Sequence, residues 1–283
     1  MPRRSDISPL SVLLTRADAI TEGSASADTV PSGFPSIDEM LGGGFRAGDL
    51  IVLGGDVASG KSALALAIAV RAGKQRKRVG FFTAEMSTDR VLERVLAIEG
   101  RVRVDDLRRG SLDDVSRANA GAVTVRLRDN MPIVEPLPSG GTSALSELLD
   151  ERPEFDLVVV DSIGGLLTAR SALEDDLAAV VRELKAVALE RNTALLVTSP
   201  LPHLNARSDR RPLLDDFGGK GAVKQHADIV FGLFREDMYE SSRHIQGATE
   251  LLVRKNRNGP TGYVDLYFYA QWMRFEDMLD PDQ

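Results

Sequence analysis

The chain of 283 residues contains no cysteine, and its three histidines, His203, His226 and His244, are too scattered along the sequence to suggest a metal cluster. The lack of cysteine excludes disulfides, cysteine-ligated zinc sites and iron–sulfur clusters. No apolar run approaches the ~18–20 residues that would span a bilayer. The apolar stretch near the N-terminus is short and is broken by Arg16 and Asp18, unlike a signal peptide. We therefore expect a cytoplasmic protein with no membrane partner.

Positive charge is in deficit, with 35 Lys and Arg against 42 Asp and Glu and a formal net charge of −7. Proteins that coat nucleic acid with their whole surface are usually basic. The acidic balance therefore argues against general adhesion to nucleic acid. It remains compatible with a few basic groups lining a pore, because exposed charges beyond a Debye length of ~8 Å are largely screened.

Residues 8–22 have the pattern of a short amphipathic helix. Ser8 is a good N-cap, Pro9 suits the first turn, and the apolar residues that recur at helical spacing are Leu10, Leu13, Leu14, Ala17 and Ile20. Gly23 ends the pattern, and residues 24–30 are typical of a flexible tether. We assign residues 1–29 to an N-terminal arm. Its apolar face must be buried either on its own domain or on a neighbouring subunit, and the sequence leaves both open.

From residue 30 to 283 the pattern indicates one α/β domain. Apolar strand-like runs occur at 50–54, 79–83, 157–160, 194–198 and 229–233, and helical stretches at 61–73, 88–99, 112–120, 143–150 and 172–190. Such runs separated by helices predict a mostly parallel sheet with helices on both faces. Residues 249–256, 262–268 and 272–276 predict antiparallel strands at the C-terminal end. Ser36 and Glu39 fit a capping box that opens a short helix ending at Gly42–Gly44.

The segment Gly55–Ser62 reads GDVASGKS and matches the phosphate-binding pattern G-x-x-x-x-G-K-[ST]. It follows one predicted strand and opens a predicted helix, where backbone N–H groups and the helix N-terminus favour phosphate. The alternative is a glycine-rich turn with an incidental Lys-Ser, which this context disfavours. We expect Lys61 to contact the β- and γ-phosphates of ATP and Ser62 to ligate Mg²⁺. The expected nucleotide-binding residues in this loop are Gly55, Ala58, Ser59, Gly60, Lys61 and Ser62.

Two acids end neighbouring strands. Asp161 follows the run at 157–160, at the sheet edge where such folds bind ligands, and is expected to hold Mg²⁺ through water. An acid that ends a buried strand is common, so the P-loop is what favours this interpretation. Glu85 follows the run at 79–83 and is placed to orient or deprotonate the attacking water. The alternative for Glu85 is a solvated strand end or a helix cap.

Six ordered motifs resemble the C-terminal RecA-like motor domain of DnaB-type replicative helicases, over about residues 8–278. They are VPSGFPSIDEMLGGGFRAGDLIVLGG at 30–55, GDVASGKSALALAIA at 55–69, FFTAEMS at 81–87, FDLVVVDS at 155–162, RPLLDDFGGKGAVKQHADIV at 211–230 and LLVRKNRNGPTGYV at 251–264. The resemblance implies a RecA-like P-loop NTPase fold for residues 30–283. It implies an ATP-dependent helicase-like ring motor that translocates on single-stranded DNA.

The resemblance also assigns residues that the pattern alone does not. Lys255 and Arg257 align with a basic pair that reaches the γ-phosphate on the neighbouring subunit, as an arginine finger in trans. A trans finger implies a homo-oligomer, a hexameric ring in the family, with the arm docked on the next subunit. Without the family, Lys255 and Arg257 are one exposed face of a strand. Gln225 stands where the family has a glutamine close to the active site, and its neighbour His226 replaces the usual acid.

The DNA-contacting loop of the family falls at 215–221, and the residues expected to bind DNA are Gly218, Gly219, Lys220 and Gly221. Related helicases commonly have an arginine and an acid in place of Gly218 and Gly219. Backbone N–H groups of a glycine-rich turn can contact phosphates, and Lys220 supplies one cation. Phe217 is the sole aromatic of this loop, so base stacking is not indicated.

Two further departures from the family pattern stand out. Ser199–His203 reads SPLPH where the family usually has Ser-Gln-Leu-Asn-Arg, whose glutamine senses the γ-phosphate. Pro200 can neither donate nor accept a hydrogen bond through its side chain. The globular N-terminal domain of replicative DnaB, which meets primase and loader, is expected to be absent, so any loader or replication or recombination partner stays unknown.

Two other functions are therefore kept. One is a RecA-like regulatory or assembly ATPase, similar to KaiC or RadA relatives, that switches a protein interaction without unwinding; Pro200, the altered loop at 215–221 and the acidic charge favour it. The other is ATP binding with little hydrolysis, which the presence of Lys61, Ser62, Glu85, Asp161 and Arg257 disfavours. The choice of helicase rests on family analogy.

Overall fold

The computed structural model describes residues 8–21, 29–152, 154–168, 172–201, 204, 207–239 and 246–278. Helix α1 spans Pro9–Thr21, as the apolar spacing predicts. The predicted tether lies outside the described residues except for Thr29 and Val30. These two residues form β1 (Thr29–Val30), which pairs antiparallel with β2 (Phe45–Arg46).

Six parallel strands make up most of one sheet, five of them as predicted. They are β3 (Leu50–Gly55), β4 (Val79–Thr83), β5 (Ile133–Pro136), β6 (Leu157–Asp161), β7 (Ala194–Pro200) and β8 (Ile229–Phe234). The additional strand β5 lies at the edge and is only partly buried. Its short, mixed sequence lacks the continuous apolar run that marks the central strands.

Three antiparallel strands extend the sheet on its other side, as predicted. They are β9 (Ala248–Asn256), β10 (Gly262–Tyr269) and β11 (Arg274–Asp277). The order across the sheet is β11-β10-β9-β8-β3-β7-β6-β4-β5. Strand β3, which leads into the predicted phosphate-binding loop, therefore lies at the centre between β8 and β7.

Helices cover both faces of this sheet. They are α2 (Pro35–Met40), α3 (Lys61–Lys74), α4 (Thr88–Gly100), α5 (Val104–Arg109), α6 (Asp114–Leu127), α7 (Gly141–Asp150), α8 (Leu173–Arg191) and α9 (Ala222–His226). Alternate residues of the central strands enter two separate apolar cores, for example Ile51 and Leu53 in one and Leu50 and Val52 in the other. This is the expected two-faced parallel sheet. Within the described ranges, no helix has the length and apolar character that crossing a bilayer requires.

The capping box predicted at Ser36 and Glu39 is wrong. Helix α2 begins at Pro35 after Phe34, so Ser36 lies inside its first turn. The Ser36 N–H and hydroxyl both donate to Asp277 Oδ2, each at 2.7 Å. Proline favours the first helical position, so the helix begins one residue before Ser36. The Ser36 hydroxyl, which the local pattern predicted to cap the helix, instead donates to the distant carboxylate of Asp277.

The helical stretch predicted at 112–120 is also displaced. Helix α6 begins at Asp114 and continues to Leu127, with Asp113 as N-cap because its Oδ1 accepts from the Ser116 N–H at 2.7 Å. The short helix α5 was not predicted. Both elements are largely exposed and carry weak apolar periodicity, so the sequence gives little signal for their bounds.

Candidate functional site

The predicted phosphate-binding loop connects the central strand β3 to helix α3. Helix α3 begins at Lys61, and Gly60 precedes it with φ 103°, a conformation that favours glycine. A Cβ on Gly60 would lie 2.8 Å from the Phe275 ring, so a side chain is excluded there by space as well. Ala58 is also left-handed, with φ 62°. The tight loop directs the N-terminus of a buried helix toward the sheet edge, where its partial positive charge favours an anion.

Lys61 lies across this loop. Its Nζ donates to the backbone oxygen of Asp56 at 2.7 Å. Burial lowers the pKa of Lys61, while the carboxylates of Glu85 and Asp161 oppose that shift. The cationic form is therefore supported by acids that line the same cleft. Ser59 N–H also donates to Asp56 O, and the Ser59 hydroxyl is buried with no partner among the described residues.

Ser62 and Asp161, the predicted magnesium ligands, contact each other. Ser62 Oγ donates to Asp161 Oδ1 at 2.9 Å, and Thr198 Oγ1 donates to the same oxygen at 2.6 Å. Asp161 is fully buried, and its Oδ2 has no hydrogen-bond partner among the described residues. Burial raises the pKa of Asp161, opposed by the bonds from Thr198 and Ser62. A buried carboxylate oxygen without a donor fits a cation or a cation-bound water.

The metal would need ligands from outside the chain as well. No group of three or more histidine or acidic side chains within the described ranges is arranged to hold a metal ion. Magnesium commonly keeps several waters and takes phosphate oxygens beside one or two protein ligands. Ser62 and Asp161 therefore fit Mg²⁺ that arrives with a nucleotide.

Glu85 lies at the end of β4, next to the strand that carries Asp161. Its side chain is exposed, and its backbone N–H donates to Thr83 Oγ1 at 3.1 Å. It lines the same cleft as Lys61, Ser62 and Asp161, which has a volume of about 840 Å³. This volume lies within the ~300–1,000 Å³ usual for small-ligand sites. Pro200, at the end of β7, also lines this cleft.

Arg94 belongs to the cleft and was not predicted. It lies on α4, lines the cleft beside Glu85, and its Nε is buried with no hydrogen-bond partner among the described residues. Burial lowers the pKa of Arg94, and the carboxylates of Asp161 and Glu85 oppose the shift. Arg90 and Arg94, four residues apart on the helix that follows Glu85, were the available signal. Thr198 was missed too, although it lies on β7 beside Asp161.

Arg257 and Lys255, the predicted finger pair, lie at the other end of the sheet from this loop. Arg257 Nε donates to Asp228 Oδ1 at 2.8 Å, and Asp228 Oδ2 accepts from the Leu50 N–H at the start of β3. The phosphate-binding loop leaves β3 at Gly55, about 16 Å away at ~3.3 Å per residue. Arg257 therefore cannot reach the loop of its own subunit.

Gln225 lies with the finger pair rather than along the cleft. Its backbone oxygen accepts from Arg257 Nη2 at 3.1 Å. Lys255 Nζ donates to the backbone oxygen of Lys224 at 2.5 Å, and burial, followed by the neighbouring Arg257, lowers the pKa of Lys255. Any nucleotide contact of Gln225 within this arrangement would therefore be to a neighbouring subunit, and its assignment stays a prediction.

The loop predicted to bind DNA contacts the first turn of α8. All four residues from Gly218 to Gly221 have positive φ, which explains the glycine-rich sequence. Lys220 Nζ donates to Asp175 Oδ1 at 2.5 Å, and its N–H donates to Glu174 Oε2 at 3.1 Å. Lys224, in the following helix, pairs with Asp215. The cations of this segment are thus neutralised within the chain.

The same loop is anchored against the strand that leads to the phosphate-binding loop. Phe217 is 2% exposed, and a Cβ on Gly54 would lie 2.4 Å from its Cε1 atom. Gly54 immediately precedes Gly55. The predicted DNA loop therefore packs through one buried ring against the residue that precedes the phosphate-binding loop.

Sequence comparisons connect the chain to replicative helicases. It is 28% identical over 257 residues to "Replicative DNA helicase DnaC" of Bacillus subtilis (strain 168), covering 88% of this chain and 56% of that protein. It is 30% identical over 257 residues to "Replicative DNA helicase DnaB" of Geobacillus stearothermophilus, with the same coverage. The DnaB of Leifsonia xyli subsp. xyli (strain CTCB07) is 30% identical over 283 residues, covering 95% and 60%. The chain thus spans somewhat more than half the length of these relatives.

Solved structures have the same fold. One that is described as an ATPase domain aligns with a TM-score of 0.87 at 22% identity, covering 96% of this chain and 99% of that chain. "The Structure Of A DnaB-Like Replicative Helicase And Its Interactions With Primase" aligns with a TM-score of 0.84 at 22% identity, covering 96% and 67%. The family described as "DnaB-like helicase C terminal domain" matches residues 29–277, nearly the whole chain. The chain belongs to this family of DnaB-like helicase C-terminal domains.

Proposed function

We propose that the chain is a Mg²⁺-dependent ATPase whose active site is the cleft at the end of β3, β4, β6 and β7. The single observation that carries this proposal is the contact between Ser62 and Asp161 beside Lys61, because it places metal ligands and a phosphate-binding cation together. Ser62 and Asp161 would hold Mg²⁺ there, and the ion would supply positive charge to the phosphate groups. Lys61 would bind the β- and γ-phosphates, and Glu85 would orient or deprotonate the attacking water.

Arg94 extends this set. Its buried Nε needs a hydrogen-bond acceptor, and phosphate oxygens accept well from guanidinium groups. The acids around it are shared with Lys61 and the metal site, so an anionic ligand would restore the local charge balance. We assign Arg94 to phosphate binding within its own subunit.

The finger pair requires an oligomer. Arg257 lies beside the start of β3, and the phosphate-binding loop leaves that strand about 16 Å away. Arg257 can therefore reach a nucleotide only if this end of the sheet in one subunit faces the cleft of the next subunit. A closed ring repeats that contact. We propose a homo-oligomeric ring, hexameric by family analogy, that hydrolyses ATP between subunits, with Lys255 and Arg257 stabilising the transferred phosphoryl group.

Single-stranded DNA is the proposed substrate of the ring. The glycine-rich turn at Gly218–Gly221 lets a phosphate backbone approach the main chain closely, and Phe217 connects it to the strand before the phosphate-binding loop. This contact gives DNA binding a direct route to the ATP site. Translocation on single-stranded DNA, with strand separation, is therefore the activity that these residues support best.

The test is the rate of ATP hydrolysis with and without single-stranded DNA, with Lys61→Ala as the inactive reference. We expect turnover that falls by at least ~100-fold in Lys61→Ala and rises several-fold with DNA. Wild-type turnover equal to that of Lys61→Ala would contradict the ATPase proposal. Turnover that DNA does not change would contradict the motor function and leave the ATPase in place.

A regulatory ATPase that switches a protein interaction remains a second candidate. One observation favours it: Lys220 and Lys224, the cations of the predicted DNA loop, are both paired with carboxylates of the same chain. A helix or loop of a protein partner tolerates such a neutral surface better than a phosphate backbone does. Capture of a specific protein together with DNA-independent hydrolysis would favour this function over translocation.

A further inference from the structure

A buried carboxylate lies behind the proposed arginine finger. Asp228, immediately before β8, is 4% exposed. It accepts hydrogen bonds from the Leu50 N–H at 2.9 Å, Lys185 Nζ at 2.6 Å and Arg257 Nε at 2.8 Å. A buried carboxylate is costly unless it is paired and hydrogen-bonded, often by several kcal/mol. Its position is therefore fixed by three donors from three separate segments of the chain.

Arg257 is held at more than one atom. Its backbone N–H donates to Asp228 O at 2.9 Å, Nε donates to Asp228 Oδ1, and Nη2 donates to Gln225 O at 3.1 Å. The side chain is 47% exposed despite these contacts. Since a guanidinium is planar, a bond at Nε fixes the plane in which the two terminal nitrogens lie. The described bonds leave Nη1 free to donate on the exposed side.

Lys185 completes the arrangement from α8. Its Nζ donates to Gly48 O at 2.8 Å as well as to Asp228 Oδ2. The carboxylate is thereby fastened to a helix on one side and to the start of the central strand on the other. Lys185 is itself mostly buried, so water does not readily replace its contact with Asp228.

We propose that Asp228 is a positioning residue for the Arg257 finger: it orients the guanidinium toward the γ-phosphate of the neighbouring subunit. This inference rests on the proposed trans site. Arginine fingers act by stabilising charge in the transition state, and misplacement of a catalytic group by about 1 Å can cost ~100-fold in rate. Asp228 would therefore affect kcat and leave the binding of ATP in its own cleft unchanged.

The test variant is Asp228→Asn. The control is Asp277→Asn, which also removes the charge of a buried acid at the end of a strand. Asparagine has one acceptor oxygen where aspartate has two, so it cannot accept the hydrogen bonds from Leu50, Lys185 and Arg257 as the carboxylate does. The Arg257 guanidinium therefore loses the contact that fixes its plane. We expect kcat to fall at least 10-fold with KM for ATP changed less than 3-fold. Asp277→Asn should stay within 2-fold in kcat. On an Arg257→Ala background, Asp228→Asn should cause no further loss of kcat.

Mixed oligomers separate a trans effect from damage within the subunit. Lys61→Ala subunits have an inactive site but an intact finger, so adding them to Asp228→Asn subunits should raise turnover per Asp228→Asn subunit. The same addition to Arg257→Ala subunits is the positive control. A rise with Arg257→Ala but none with Asp228→Asn would overturn the inference.

Two further outcomes keep this inference distinct from the proposed function. Unchanged kcat in Arg257→Ala would overturn the trans finger itself, whereas a loss in Arg257→Ala with none in Asp228→Asn would overturn only the role of Asp228.

If Asp228→Asn fails to fold by circular dichroism, Arg257→Lys tests the same contact from the exposed side. Lysine keeps the charge but lacks Nε, so kcat should fall nearly as far as in Arg257→Ala. Retention of wild-type kcat by Arg257→Lys would contradict the inference.

Discussion

Asp161 carries a charge in a place where water cannot solvate it. Burial raises its pKa, so the native state binds a proton more readily than the unfolded chain does. The contribution of Asp161 to stability is therefore fully present below its ordinary pKa of 3.8 and is lost as the pH rises through the folded pKa. At neutral pH the ionised carboxylate lowers the free energy of unfolding, and the proposed metal site is the reason to retain it.

We therefore predict that Asp161→Asn stabilises the protein while it abolishes hydrolysis. Asparagine still accepts from Ser62 and Thr198 through Oδ1 but carries no charge. The melting temperature at pH 7 should rise by roughly 2–4 °C, the shift that about 1 kcal/mol produces in a domain of ~150–250 residues. Differential scanning fluorimetry without nucleotide measures this shift.

Mg²⁺ and ATP provide the control for Asp161→Asn. A ligand that binds only the native state raises its stability, so adding both should raise the melting temperature of the wild type more than that of the variant. A variant that melts below the wild type without ligand would contradict the role assigned to burial. Equal stabilisation of both proteins by Mg²⁺ and ATP would contradict the role of Asp161 at the metal site.

Individual site residues differ in how far the sequence predicts them. Lys61, Ser62 and Asp161 belong to a motif or a strand end, so local sequence places them at one edge of the sheet, where the structure brings them together. Arg94 and Asp228 acquire their surroundings from elements distant in sequence. The spacing of Arg90 and Arg94 indicates only a shared helix face, and an acid before a strand has no local signal that distinguishes it from a solvated residue.

The same division holds for whole elements. Strands β3, β6, β7 and β8 are buried on both faces, and their continuous apolar runs predict them within two residues. Strand β5 and helices α5 and α6 lie at the periphery, where exposure weakens the apolar periodicity. The capping box at Ser36 failed for a different reason, because Asp277, 241 positions away, takes its hydroxyl.

Helix α8 provides a prediction at the scale of elements. Its first turn places Glu174 and Asp175 against Lys220 of the predicted DNA loop. The exposed Lys220–Asp175 ion pair contributes about 0.2–1 kcal/mol. Glu174 accepts the Lys220 N–H, a hydrogen bond worth about 0.5–1.5 kcal/mol, so removing both acids should change affinity by up to ~10-fold. We expect Glu174→Gln/Asp175→Asn to bind single-stranded oligonucleotides about 3- to 10-fold more tightly at ~50 mM salt, with a smaller gain at ~200 mM.

Fluorescence anisotropy with a labelled oligonucleotide measures this change. Asp114→Asn/Asp129→Asn removes the same number of charges from exposed positions on and just after α6 and serves as the control. If the control gains as much affinity as Glu174→Gln/Asp175→Asn, the effect is one of net charge. If neither variant gains, the loop is not the DNA contact.

At the scale of the whole molecule, the two groups of residues that are proposed to act in one reaction lie at opposite ends of β3. The strand begins at Leu50 beside Asp228 and Arg257 and ends at the phosphate-binding loop. A parallel sheet fixes these ends on opposite sides, so each subunit presents a cleft on one side and a finger on the other. Such a subunit is suited to a head-to-tail contact, and a ring closes that contact without leaving a free end.

Helix α1 provides the last prediction, because its leucines Leu10, Leu13 and Leu14 are 57–65% exposed. Burying a leucine fully contributes about 1.5–3 kcal/mol, so docking on a neighbouring subunit would strengthen the ring considerably. We expect Leu10→Gln/Leu13→Gln/Leu14→Gln, which preserves helix propensity, to need at least ~10-fold higher concentration to assemble. Its ATP hydrolysis per subunit should fall in parallel, because each site lacks the finger of its neighbour.

Mass photometry over a concentration series, with hydrolysis measured on the same samples, tests this expectation. Val115→Gln/Val125→Gln is the matched control, since both valines are at least 70% exposed on α6. A triple variant that assembles like the wild type but melts at a lower temperature would place α1 on its own domain. In that case the ring would depend on the cleft and finger contact alone, and Arg257→Ala would be expected to weaken assembly as well as hydrolysis.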